Sequence, residues 1–284
     1  MALLHWLLAQ GYRKLIVCHF EHGLRGRAGK ADARFVERLA QKHALPFEGG
    51  AGDIRALAQT RRQSIETTAR HERLAFFAQV AKRRRCPRIF LAHHADDQVE
   101  TFLLNLFRGA AGRGLGAMRA RSRQGSLELL RPLLGVGRSE IDEYIAQHRL
   151  KFREDATNQE LTARRNQMRH KIIPWLEKEL GRNIRATIWR AATVLAEEEE
   201  LLESLFPDEV SNERFLVVRS LRLRPVALQR RALLRWLRQH QVADVGFDVI
   251  ESIRALLAPG ARVARINLSR DRHVRRRAGK IFLE

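Results

Sequence analysis

The sequence predicts a doubly wound α/β domain on a parallel sheet, followed by a smaller, mainly helical domain. Three observations lead there. Two apolar runs, residues 14–20 and 88–92, are unbroken enough in aliphatic and β-branched side chains to be strands buried on both faces. Stretches of helical spacing separate the strand-like runs, at the lengths that crossovers of a parallel sheet need. Beyond Gly181 helical spacing takes over.

Residues 3–9 read as a helix that stops at Gly11. The strand 14–20 follows, then a loop at 21–30 containing Gly and Arg. Residues 31–43 regain helical spacing, with Phe35, Val36, Leu39 and Ala40 on one face. Residues 45–49 are a short strand ending in a Gly turn. A long helix covers 64–84, with Ile65, Ala69, Leu74, Phe77 and Val80 inward. The strand 88–92 runs straight into His93, His94, Ala95, Asp96 and Asp97 and a helix at 98–107. Further helices are expected at 184–206, 228–240 and 247–257, broken by Pro207 and Pro225, with short strands around Gly279. The domains are placed at 1–183 and 184–284.

With 284 residues, 45% of them hydrophobic, the chain is long enough to bury one large or two medium cores. Its apolar runs are too short to cross a bilayer, so no membrane partner is expected. The first residues lack a basic leader region and a cleavage site, and read as an amphipathic helix rather than an export signal. Cys18 and Cys86 form no C-x-x-C pair, which argues against disulfide, zinc and iron–sulfur frameworks and for a cytoplasmic protein. Fifty-three basic residues against 32 acidic ones leave a net charge of +21. That excess attracts polyanions, and the preponderance of Arg suits bidentate phosphate contacts. A general preference for Arg would inflate the same number, so charge alone names no substrate.

In a doubly wound sheet the ligand sits at the carboxyl ends of the strands. Two polar clusters fall there: His19 with His22, and residues 93–97. Asp97 and Glu100 are three apart, hence on one face of a helix's first turn, where they suit a cation or an ammonium group. Capping offers a plainer account, because Asp96 is a natural N-cap and first-turn acids suit the helix dipole. It explains one or two carboxylates, not two His, two Asp, a Gln and a Glu within eight positions. Arg70 and Arg73 share a helix with Glu66 and Glu72, so ion pairing competes with ligand binding. Arg164, Arg165 and Arg169 lie between loop and helix and favour phosphate. Arg108 and Arg113 frame a Gly-rich stretch that follows a helix, which suits an RNA-contacting loop better than a phosphate cradle.

Residues 93–101, then Leu103, Leu104, Arg108 and Gly109, resemble the HHxDDQxET…LLRG signature of tRNA(Ile)-lysidine synthetases. Four further blocks occur in the family's order. His19-Phe20-Glu21-His22-Gly23-Leu24-Arg25 resembles HxNHxLR, with Glu21 in place of Asn. Glu66, Ala69, Arg70 and Arg73 resemble an ExxAR…R helix, and Arg131-Pro132-Leu133-Leu134 an RPLL block. Asp155-Ala156-Thr157-Asn158 with Arg165, Asn166 and Arg169 resembles DxTN…RN..R.

The resemblance implies an adenine nucleotide alpha hydrolase-like fold. It also implies a reaction in which ATP, with Mg²⁺, adenylates the C2 oxygen of the wobble cytidine of a tRNA(Ile) bearing a CAU anticodon. L-lysine then displaces AMP to give lysidine. On that basis Asp97, Glu100, His94 and Asp96 are the catalytic set, with Asp97 also the metal candidate. His19, His22, Arg70 and Arg73 would border ATP, and Arg108, Arg113, Arg164, Arg165 and Arg169 would contact tRNA. The family's SGGxDS phosphate loop does not occur in the sequence, which begins within the helix that follows it; the first strand is expected to be missing. This leaves a second reading, a non-catalytic tRNA-binding relative. A sulfur-transferring relative is a third, poorly served by two unpaired cysteines. Sequence leaves the oligomeric state open, a homodimer included. The basic tail, with Arg270, Arg272, Arg275, Arg276 and Arg277, is expected on the phosphate backbone or simply solvated.

Overall fold

A computed structural model describes residues 1–110, 112–153, 164–205, 214–261, 265–269 and 271–284; the Arg113 side chain lies outside the description. The chain divides into two compact units, Met1–Ala196 and Glu197–Glu284.

The first unit opens with helix α1 (Ala2–Ala9), after which Gly11 takes the positive φ of +86° that ends a helix cheaply. Strand β1 (Val17–Glu21) pairs in parallel with β2 (Phe47–Ala51), and α2 (Arg27–Lys42) makes the crossover. α2 starts earlier than its apolar face suggests, because Arg27, Ala28, Gly29 and Lys30 form a polar first turn. Gly50 lets Phe76 and Phe20 press on β2; a Cβ there would lie 2.6 Å from the Phe76 ring.

Helices α3 (Ile54–Arg61) and α4 (Ile65–Arg84) are capped by Asp53 and Ser64, whose side chains accept the N–H groups of Ala56 and Thr67. Strand β3 (Arg88–Phe90) leads into α5 (Ala95–Leu106) and a single turn, α6 (Gly112–Leu115). β3 pairs in parallel with β5 (Leu127–Leu130), which pairs antiparallel with β4 (Arg121–Gln124). The expected parallel sheet is therefore present with an added antiparallel edge.

Phe76, Phe77, Val80 and Ala81 of α4 pack on Leu127 and Leu129 of β5. The pairs β1–β2 and β3–β5–β4 form separate ladders. An apolar cavity of about 510 Å³, lined by Val17, Cys18, Ile89, Phe90 and Leu7, lies between the open edges of β1 and β3.

Helix α7 (Arg138–Gln147) follows, then α8 (Arg164–Gln167), a π-helical turn (Met168–Ile172), α9 (Ile173–Leu180) and the long α10 (Ile184–Ser204). Val99 and Leu103 of α5 pack against Met168, Ile173 and Ile184. This small core holds the acidic helix against the arginines of α8 and the π turn. The contact boundary after Ala196 falls inside α10, whose start coincides with the change in sequence character.

The second unit combines helices α11 (Val218–Arg222), α12 (Val226–Gln239) and α13 (Phe247–Ala255) with four strands. These are β6 (Phe215–Val217), β7 (Arg265–Asn267), β8 (His273–Arg277) and β9 (Lys280–Leu283), ordered β6-β9-β8-β7 and antiparallel throughout. Trp236, Leu233, Leu237 and Ile253 pack on Val274 and Ile281 to make its core. Gly279, with φ of +72°, turns the β8–β9 hairpin where the sequence placed it.

Candidate active site

The acidic motif sits where β3 feeds α5. His94 is the N-cap residue, and the Asp97 carboxylate accepts its backbone N–H at 3.0 Å. Asp97 therefore caps as well as facing the cavity: its Oδ1 lies 3.1 Å from Arg169 Nη2 and 3.4 Å from Arg165 Nη2. Glu100, one turn on, is wholly buried. Its carboxylate takes Arg165 Nε at 2.8 Å and Arg169 Nε at 2.5 Å. Arg165 and Arg169 are four residues apart, which puts them on one helical face. Arg169 lies in the π turn, and its guanidinium is pulled down by burial and pushed back up by Glu100 and Asp97, with a net rise. Two expected halves of the site, the acids and the tRNA-binding arginines, are thus bonded to each other.

Two further residues of the motif, Asp96 and Gln98, tie neighbouring elements together. Asp96 accepts the Arg138 N–H at 2.9 Å and Arg185 Nη1 at 2.6 Å, tying α5 to the starts of α7 and α10. The His94 ring, the Arg138 N–H and the Arg185 guanidinium hold its carboxyl well below the usual range. It lines a different cavity from Asp97, one shared with Gly137, Asn183 and Trp189. Buried Gln98 donates to the carbonyls of Gly116 and Met118 and accepts the Met118 N–H, so it fixes the loop after α6.

A cavity of about 680 Å³ brings together His93, His94, Asp97, Arg73, Arg165 and Arg169. Asp32 lines it too, bonded to Arg25 at 2.5 Å and Arg153 at 2.6 Å. Arg73 is half-buried and has no carboxylate partner among the described residues; Glu72 pairs instead with Arg61 at 2.7 Å. Burial, then repulsion from Arg70, lowers its affinity for its proton. Burial likewise lowers His22, with Arg73 adding to the effect. Burial also drives His93 down to about 4, with Asp97 opposing and Arg131, Arg165 and Arg73 reinforcing. His93 is a neutral ring at pH 7. The Nδ1 atoms of His22, His93 and His94 are buried without a hydrogen-bond partner. Arg73, unpaired with any carboxylate among the described residues and near unsatisfied imidazoles, suits a polyanionic ligand, so ATP fits this rim.

Mg²⁺ fits less well. One Asp97 oxygen takes a backbone N–H and the other a guanidinium, and no three His, Cys, Asp or Glu side chains converge among the described residues.

His19 and His22 stand at the end of β1 and outside this cavity's lining, with His19 lowered by burial. Glu21 rests against Gly29 in the first turn of α2, an end that suits a carboxylate. Arg70, Arg108 and Arg164 are exposed. Asp155, Ala156, Thr157, Asn158 and the Arg113 side chain lie outside the described residues. Sequence named Arg131 only as part of a motif. The structure buries it, with Nη1 donating to Arg119 O and Ser122 Oγ and Nε left without a partner. A lone Arg closing the run Leu127-Glu128-Leu129-Leu130 was the available signal. Cys18 borders the apolar cavity, and burial pushes its thiol up to about 11, a poor nucleophile at neutral pH.

The family model of a PP-loop domain matches residues 1–176, and that of a TilS substrate binding domain matches residues 216–282. The tRNA(Ile)-lysidine synthase of Thermosynechococcus vestitus is 34% identical over 268 residues, covering 92% of this chain and 75% of the relative. That of Synechocystis sp. is 32% identical over 267 residues, covering 90% and 78%. The chain belongs to the tRNA(Ile)-lysidine synthase family. A third tRNA(Ile)-lysidine synthase, from Geobacter sulfurreducens, is 36% identical over 267 residues; the match covers 90% of this chain but only 56% of that relative. These tRNA(Ile)-lysidine synthases give the non-catalytic reading no support. Among solved structures, the U34-tRNA thiolase NcsA from Methanococcus maripaludis shares the fold. Its TM-score is 0.54 at 16% identity, over 69% of this chain and 67% of that one. No helix among the described residues is long and apolar enough to cross a membrane.

Proposed function

We propose that this chain carries the ATP-dependent joining of L-lysine to C2 of the wobble cytidine, position 34, of an AUA-reading tRNA(Ile) with a CAU anticodon, in the cytoplasm. The observation that carries this reading is the Asp97–Glu100 pair, in which Glu100 is wholly buried and Asp97 partly so. Asp97 lines a cavity at the carboxyl edge of the sheet, and the pair already holds two cationic side chains. A site that grips guanidinium groups with two carboxylates has the chemistry to grip an ε-ammonium group.

ATP supplies the activating group. The C2 oxygen attacks the α-phosphorus and pyrophosphate leaves; the lysine ε-amine then attacks C2, and AMP departs with the oxygen. The protein's part is positioning and charge. Arg73 faces the phosphates without a competing carboxylate, and the neutral His93 and His22 rings offer ring nitrogens beside it. Asp97 and Glu100 orient the amine, and loss of its proton there makes it the nucleophile. Mg²⁺, if it is used, would be held chiefly by the phosphates, and Asp97 is the candidate carboxylate for it. Exposed Arg108 and Arg164 would meet tRNA phosphates, joined by Arg165 and Arg169 where they leave the acids, and Arg113 is assigned the same role from sequence alone.

The test is incorporation of radiolabelled lysine into CAU-anticodon tRNA(Ile) by the natural full-length protein, with Asp97→Ala as control. Lysine- and ATP-dependent labelling, lost in the variant, is expected. Labelling no greater than the control overturns the reading.

A further inference from the structure

The small sheet of the second unit has two unlike faces. Leu216, Val274 and Ile281 point inward and are buried. The opposite parity makes a row across all four strands, in register: Arg265, Arg275, Phe282 and Phe215. At about 4.8 Å per strand this row spans roughly 14 Å. The next row holds Arg277, Lys280 and Val217. The two Phe rings lie 5.7 Å apart, and Lys280 Nζ sits 3.7 Å above the Phe215 ring. Neither ring joins the core of the unit. No residue of the four strands is acidic. Glu284, just beyond them, is bonded to His273 at 2.9 Å.

The structure also sorts the basic tail. Arg276 turns inward and donates to the carbonyls of Leu256 at 2.6 Å and Ala258 at 2.7 Å, and Arg272 donates to His240 O at 2.7 Å. Both serve ends of helices rather than a ligand. Arg275 and Arg277 remain exposed; Arg270 lies outside the described residues. A merely solvated charge face has no use for two adjacent aromatic rings, and a core face has none for four cations. Flat rings flanked by cations match a chain of flat bases joined by phosphates.

We infer that this outer face is an RNA-stacking platform, on which Phe215 and Phe282 take an unpaired base while Arg275, Arg277 and Arg265 hold the flanking phosphates. The inference rests on tRNA being the substrate.

Fluorescence anisotropy of labelled CAU-anticodon tRNA(Ile) with the full-length protein tests it, inorganic polyphosphate serving as a polyanion without bases. The Phe215→Leu/Phe282→Leu variant is expected to bind tRNA about tenfold more weakly, at an unchanged salt slope, and to bind polyphosphate as wild type does. Phe282→Trp keeps a stacking face and should retain tRNA affinity. Arg275→Gln/Arg277→Gln should weaken both ligands and reduce the salt slope by about two. Wild-type tRNA affinity in the Leu variant overturns the platform. Equal loss of tRNA and polyphosphate by that variant also overturns it, since the rings would then serve structure alone. If the wild-type protein itself fails to bind tRNA, the substrate reading falls and the platform falls with it.

Discussion

Two carboxylate–guanidinium clusters, one in each unit, have nearly the same chemistry and very different surroundings. In the first unit Glu100 and Asp97 meet Arg165 and Arg169. In the second, Glu251 meets Arg230 at 2.7 Å and Arg254 at 2.8 Å. Glu100 is sealed from solvent, whereas the Glu251 side chain keeps 23% of its exposure and its arginines more. The first cluster borders a cavity that also holds Arg73, without a carboxylate partner among the described residues, and orphaned imidazole nitrogens. An ion pair therefore does not announce a site. The polar groups around it that lack partners do.

Five experiments press on that contrast. Glu100→Ala leaves two guanidinium groups without their buried acid and should cost roughly 3 kcal/mol in urea unfolding, with lysine transfer reduced to background. A variant within half of that cost of wild type would mean that water already screens the cluster. Asp97→Asn should reduce lysine transfer about a hundredfold through lost charge-assisted bonds. Asp96→Asn should leave the KM for lysine alone while lowering stability by about 1 kcal/mol, because it loosens ties to α7, Arg185 and the His94 ring rather than the Asp97 carboxylate. A matched fall in lysine affinity for both variants would erase the distinction drawn between the two cavities.

Glu199 in the second unit, almost fully buried against Arg231, is the control for charge without a cavity. Glu199→Gln should destabilise by about 1 kcal/mol and leave lysine kinetics unchanged. The smallest effect concerns pH. Arg230, then Arg254, depress the Glu251 carboxyl from 4.5 to about 2. A depressed acid contributes stability that is fully present above about pH 4.5 and fades as pH falls to about 2. Thermal melts of wild type and Glu251→Gln should accordingly differ at pH 5 and converge near pH 2.

Much of this was legible in the sequence. The strands within 14–20 and 88–92 and the long helix ending at Arg84 followed from their apolar runs and spacing, although the strands are half-buried rather than sealed on both faces, with Arg88 exposed. Strands β4 and β7, reading Arg121-Ser122-Arg123-Gln124 and Arg265-Ile266-Asn267, carry almost no apolar residues and left no such mark. The acidic motif stood out by density. Its partners did not, since Arg165 and Arg169 lie more than sixty positions away and meet Glu100 only through the packing of Met168 and Ile173 on Val99. Nor could sequence tell Asp96 from Asp97. Adjacent residues on a helix diverge by about 100°, and which one meets a cavity is decided by neighbours elsewhere in the chain.

The arginine grip on Asp97 and Glu100 has a consequence for the proposed entry of an amine. On that proposal admission is a swap, one cation leaving as another arrives, so the charge sequestered from water stays nearly constant. Selectivity between guests would then turn on fit and on hydration differences between ammonium and guanidinium, not on raw attraction.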